Sequence, residues 1–215
     1  MKIGVFDSGI GGLSVARAIE KTLPEHEVIF VNDKEHVPYG TKQPEELLQL
    51  VGPILQSLVA QGCQVIVVAC NTVSTTIIGE LRQQFSIPLI SMEPMVKPAA
   101  EQTKTGVVAI CATPTTLASK RYVWLKQTYA PSVTVIEPDC RDWALMIETN
   151  HIDRQKIHDA INTACEQKAD VIVLGCTHYH WIEDIIRQEV AGRATVLQPE
   201  QPVIDQLKRV LKLPA

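Results

Sequence analysis

No apolar stretch in this 215-residue chain approaches the ~20 consecutive residues that a membrane-spanning helix needs; the longer runs, such as Val65 to Cys70, are far shorter. The first residues, Met1-Lys2-Ile3-Gly4-Val5-Phe6-Asp7, reach a glycine and a carboxylate too soon for the apolar core of a signal peptide. A basic block is missing as well. Lys and Arg number 20 against 24 Asp and Glu, a formal net charge of -4, so nucleic acid is not expected as a partner. The six cysteines, at 63, 70, 111, 140, 165 and 176, form no CxxC pair, and a disulfide framework is not expected. In a reducing cytosol most of them should be buried as small apolar residues. The expectation is a soluble cytoplasmic protein without a membrane or nucleic-acid partner.

What the chain does have is core-forming material: 46% of its residues are hydrophobic, enough for one large domain or two small ones. Short apolar runs alternate with longer amphipathic stretches. Lys2 to Phe6, Glu27 to Val31, Gln64 to Ala69, Pro88 to Ser91, 105–112, Val133 to Ile136 and Asp170 to Leu174 read as strands. Helical spacing covers Leu13 to Leu23, Glu45 to Gln61, roughly Ser74 to Phe85, a helix opened by Thr113-Pro114-Thr115-Thr116, and Arg154 to Gln167. Pro53 should kink the second helix or start a fresh turn, and Gly62 fits its C-terminal cap. This is an α/β alternation with mainly parallel sheets.

A weak internal repeat aligns Gln64-Val-Ile-Val-Val-Ala-Cys70-Asn-Thr with Asp170-Val-Ile-Val-Leu-Gly-Cys176-Thr-His without a gap. It predicts two similar lobes related by a pseudo-two-fold, with the site in the cleft between them. Residues 1–95 would form the first lobe and 96–215 the second, the final helix packing back on the first. The boundary is placed between Met95 and Thr105, where Lys97, Pro98, Gln102 and Lys104 interrupt the apolar pattern.

Open α/β sheets bind ligands at the carboxyl ends of their strands. Here those ends carry Asp7-Ser8, Asp33, Cys70-Asn71-Thr72, Thr113 and Cys176-Thr177-His178. Either cysteine alone reads as packing. Two at equivalent places, each followed by polar residues at a helix start, read as chemistry. Opposed thiols can remove a proton from one face of a bound molecule and return one to the other, which inverts a carbon centre. Cys176-x-His178-x-His180 could instead be part of a zinc cluster. Gly9-Ile10-Gly11-Gly12 with Asp33 imitates a dinucleotide fingerprint, although Ser14 takes the place of its third glycine. A tight turn offering backbone N–H groups to a small carboxylate is the reading preferred here. His178 handles protons or is a satisfied surface histidine; His26, His36, His151 and His158 read as solvated.

At these residues the sequence resembles the glutamate racemases of the cofactor-independent Asp/Glu racemase superfamily. The matching segments are Phe6 to Val15, Pro38-Tyr39-Gly40-Thr41, Ala69-Cys70-Asn71-Thr72 and Gly175-Cys176-Thr177-His178-Tyr179. The resemblance implies an isomerase with Cys70 and Cys176 as its two acid/base catalysts, tuned by Asp7, His178 and Glu148. Glutamate would be held by Asp7, Ser8, Pro38, Tyr39, Gly40, Asn71, Thr72, Thr113, Thr177 and His178. It also implies a homodimer that uses neither pyridoxal phosphate nor metal and supplies D-glutamate for peptidoglycan. The chain departs from the family pattern at Val73, which would narrow the pocket, and at His180, where proline usually follows His-Tyr. It also looks shorter than most members. A racemase of aspartate or another amino acid, and a racemase-like binding protein without activity, are the alternatives.

Overall fold

The runs richest in β-branched residues lie at the centre of two parallel sheets, where both faces are covered. In the computed structural model, which describes residues 1–213, these are β3 (Cys63–Val68) and β7 (Val171–Gly175). Val65, Ile66, Val67 and Val68 have no exposed surface, as a strand sandwiched between helices requires. The first sheet has the order β2-β1-β3-β4, with β1 at Lys2–Asp7, β2 at Glu27–Asn32 and β4 at Leu89–Ser91. The second repeats that order as β6-β5-β7-β8, with β5 at Val107–Ala112, β6 at Thr134–Ile136 and β8 at Thr195–Leu197. Every pairing is parallel; Phe6 lies opposite Val68 in one sheet and Ala112 opposite Gly175 in the other. The fold is therefore α/β with two matching lobes.

Around the first sheet run α1 (Gly12–Thr22), α2 (Pro44–Ala60), α3 (Asn71–Thr76) and α4 (Ile78–Gln84). Helix α2 passes through Pro53 without ending there. Leu47, Val51, Leu55 and Leu58, all fully buried, hold one continuous face against the sheet and override the proline. Gly62, at φ 87°, takes the left-handed position after the helix, where a side chain would be strained. The helix expected from Ser74 starts earlier, at Asn71, and breaks at Ile77 into two.

The second lobe holds α5 (Val96–Gln102), α6 (Pro114–Ala118), α7 (Lys120–Tyr129), α8 (Trp143–Glu148), α9 (Arg154–Glu166) and α10 (Glu183–Val190). The segment read as an interruption around Met95 to Thr105 is largely helix α5. Pro98 sits in its first turn, where the missing N–H would have had no helical partner, and Val96 and Ala99 are buried. Helix α8 and strand β8 have no counterpart in the periodicity reading. The last helix, α11 (Glu200–Val210), returns to the first sheet: Val203, Ile204 and Leu207 share a cluster with Ile3, Val5 and Val15. His26 corrects another expectation. Its side chain is only 7% exposed and neither ring nitrogen has a hydrogen-bond partner among the described residues, so it is not solvated.

Candidate active site

Asp7 closes β1 and is completely buried. Its Oδ2 accepts the Gly12 N–H at 2.7 Å and the Thr177 hydroxyl at 3.1 Å, while Oδ1 has no partner among the described residues. Burial pushes its carboxyl up, against the opposing pull of His178 and of the N–H and hydroxyl donors around it. The glycine turn that follows was expected to offer its N–H groups to a ligand. Two of them are committed within the protein instead: Gly12 to Asp7, and Ile10 to Glu148 at 2.6 Å. A side chain at Gly11 would lie 2.5 Å from the backbone nitrogen of His178, so the turn presses against the second lobe.

Cys70 follows β3 at the start of α3, and its Sγ lies 3.6 Å from Ser8 Oγ. Burial and the negative charge of Asp7 push the thiol up to about 12. Cys176 follows β7, and its Sγ lies 3.6 Å from His178 Nδ1. The other ring nitrogen, Nε2, is 2.8 Å from Glu148 Oε1. Burial disfavours charge on His178, but its bonds to Cys176 and Glu148 outweigh this and raise it to about 10. Burial alone would raise Glu148, yet the hydrogen bonds from His178 and Ile10 bring it below its ordinary value. The result is a line from Cys176 through His178 to Glu148 that can hold or move a proton at the sulfur.

The two thiols line one small, tight cavity between the lobes. Ser8, Pro38, Tyr39, Gly40, Asn71, Thr72, Thr113, Thr177 and His178 line it too, with Val37 and Ala144. Asp7 and Glu148 stand behind this lining. Val73 is buried in the core beside Cys70 and is not part of the wall, so it does not narrow the cavity directly. Both polar atoms of the Asn71 amide are buried without a partner among the described residues, an arrangement suited to a polar ligand. Tyr39 is fixed by its hydroxyl on Asp33 Oδ2 at 2.6 Å, and Asp33 also bonds His36. Asp33 is thereby engaged on the tyrosine side of the site.

Across the cleft, Thr72 and Thr113 hydroxyls meet at 3.0 Å, and Thr115 donates to the Gly40 carbonyl at 2.7 Å. His178 is 2% exposed, which rules out the surface-histidine reading. His180 faces Ser14 rather than Cys176 and His178, so the three residues of the zinc alternative do not converge. A wider groove lies between residues 136–143 and α9, but no cysteine lines it.

Of the residues that periodicity did not find, Glu148 and Ala144 belong to α8. Trp143 packs edge-on to Tyr179, ring centroids 5.2 Å apart, and the Tyr179 hydroxyl donates to the Cys140 carbonyl at 2.9 Å. These contacts fasten α8 to the turn after Cys176 and so place Glu148 against His178. Val37 carried no chemical signal in the sequence.

Paired lobes with a thiol at matching strand ends give an arrangement that suits proton transfer on two faces of a ligand, and comparison with known proteins shows the family. Residues 3–212 match the model of the Asp/Glu/Hydantoin racemase family. The chain belongs to that family. A glutamate racemase from Pseudomonas syringae pv. tomato is 37% identical over 214 residues, covering 97% of this chain and 78% of that protein. The crystal structure of Escherichia coli glutamate racemase with L-glutamate and the activator UDP-MurNAc-ala superposes with a TM-score of 0.86 at 26% identity, covering 100% of this chain and 83% of the other. A glutamate racemase isoform from Bacillus anthracis gives 0.83 at 28%, with coverage of 98% and 81%.

Proposed function

We propose that this protein is a cofactor-independent glutamate racemase that interconverts L- and D-glutamate by proton transfer at Cα. The observation that carries the reading is the pair of thiols, Cys70 and Cys176, lining one cavity from equivalent positions in two lobes. One sulfur, as thiolate, takes the α-proton, and the C–H electron pair stays on the substrate as a carbanion delocalised into its carboxylate. The opposite thiol gives its proton to the other face of Cα. The first sulfur ends as thiol and the second as thiolate, so the next substrate is turned over in reverse or after proton exchange with water.

The carbanion is the difficult species, and donors already in place stabilise it without reorganisation. Asn71, whose buried amide has no partner among the described residues, lines the cavity as such a donor. Cys70, pushed up to about 12 beside Asp7, gains from a positive charge in the cavity, and the substrate ammonium supplies one. Asp7 and the Cys176–His178–Glu148 line would set the charge on each side.

Glutamate is chosen over aspartate because the glutamate racemases above match this chain over nearly its whole length. The proposal includes 1–95 and 96–215 as the two lobes, a homodimer, a cytoplasmic location and a supply of D-glutamate for peptidoglycan. Six unpaired cysteines support the location, and no helix among the described residues is long and apolar enough to cross a membrane. The test is proton NMR with L- and then D-glutamate in D2O, without added cofactor. Loss of the α-proton signal with optical rotation decaying to zero is expected. Exchange with aspartate alone would move the substrate, and silence with both from folded protein would overturn the reading.

A further inference from the structure

His180 is one of the positions where this chain departs from the pattern it resembles, and it ties the two lobes together. Its Nδ1 lies 3.2 Å from Ser14 Oγ in α1, and that hydroxyl lies 3.1 Å from the Gly11 carbonyl. A serine hydroxyl carries one proton. With that proton on Gly11, the oxygen accepts from His180 Nδ1–H, which fixes the tautomer through the network. In the neutral ring Nε2 is then bare, which fits its burial without a partner among the described residues. Burial and the neighbouring charge of His178 hold the ring down to about 4, in keeping with this state.

Gly11 is the residue whose turn presses on the backbone of Thr177 and His178. The tie therefore sets the spacing between the turn and the Cys176 side of the cleft. On the same seam, Ile10 bonds Glu148 and Asp7 bonds Thr177. The Cys70 side is held by other contacts, Thr72 to Thr113 and Thr115 to Gly40. His180 does not line the cavity.

We infer that His180 is a positioning residue for Cys176: through Ser14 and Gly11 it aligns the Cys176–His178–Glu148 line without touching substrate. This rests on the racemase reading above. In a two-thiol racemase the α-proton of one enantiomer goes to Cys176 and that of the other to Cys70. Loosening one side makes proton transfer at that sulfur more rate-limiting. The primary isotope effect of α-deuterated substrate on kcat/KM must then rise for one enantiomer and fall for the other.

The experiment compares wild type, His180→Phe, Ser14→Ala and His180→Asn. The first two variants are expected to lose ~5–10-fold in kcat/KM, the scale of one positioning hydrogen bond, with the isotope effects splitting in opposite directions. His180→Asn, which keeps a donor near the place of Nδ1–H, should restore most of the loss and reunite the two effects. A change within about twofold for His180→Phe, or isotope effects that move together, would overturn the inference. Nitrogen NMR of the imidazole gives a readout apart from activity: Nδ1 should be protonated and Nε2 bare at neutral pH. The opposite tautomer would turn the Ser14 proton onto Nδ1 and release the Gly11 carbonyl, which contradicts the link through Gly11. A wild type inactive toward glutamate overturns the racemase reading instead, and the imidazole signal still decides whether the link runs through Gly11.

Discussion

Asp7 and Thr177, 170 residues apart in the sequence, meet across the cleft, where the threonine hydroxyl donates to Asp7 Oδ2 at 3.1 Å. The contact joins the end of the first strand to the residue after Cys176, so the charge of one lobe is set by a donor from the other. Asp7 also raises Cys70. A single buried carboxylate thereby reaches both thiols, one by charge and the other through the seam.

Replacing Asp7 by Asn separates these effects. Without the negative charge, Cys70 should ionise more readily, its midpoint falling from about 12 toward the ordinary thiol range. Turnover should nevertheless drop, by about 10²-fold, because the ammonium loses its counter-charge. Alkylation rates of the Cys70 peptide against pH, followed by mass spectrometry in a Cys176→Ala background, check the first part. Unchanged turnover in the single variant would remove Asp7 from the site.

Glu148→Gln tests the other side through stability. His178 is raised from 6.5 to about 10 in the folded protein, so its contribution is complete below about pH 6.5 and is lost as pH rises through 10. The variant weakens one source of that shift. Wild type should exceed it by about 1–2 kcal/mol near pH 6.5, and the gap should close toward pH 10. Urea unfolding at a series of pH values measures this, and a gap independent of pH above 6.5 would contradict it.

Gly11→Ala forces a methyl group onto the backbone of Thr177 and His178, atoms that cannot swing aside. The expected result is a loss of about 10²-fold or more in kcat/KM from misplacement of the Cys176 side. Gly79→Ala is the control. A side chain there meets nothing within 4 Å, and alanine in helix α4 should stabilise by about 0.5–1 kcal/mol with activity unchanged. Thermal unfolding and steady-state rates of both variants decide the matter.

The two-lobe frame was legible because the β-branched runs before Cys70 and Cys176 repeat one another, and both ended as central strands. Helix α8 was not. It has six residues, of which Trp143, Ala144, Met146 and Ile147 are buried, and so it lacks a polar face to reveal a helical period. Glu148 came only from the family resemblance for that reason. The glycine turn misled for a different one: its N–H groups face Asp7 and Glu148, and Glu148 lies 138 residues away from Ile10 in sequence. His26, polar among polar neighbours, carried no sign that the chain would bury its ring.

The central claim is that Cys70 and Cys176 act on opposite faces of Cα, and isotope incorporation at early turnover tests it most directly. In D2O, L-glutamate converted by a few per cent should give D-glutamate carrying deuterium at Cα, while the L-glutamate left behind keeps its proton; the same should hold from the other enantiomer. Cys70→Ala and Cys176→Ala should each reduce racemisation by at least about 10²-fold in a protein that still folds. Retention of the original proton in the product, or near-normal turnover in either variant, would contradict the account.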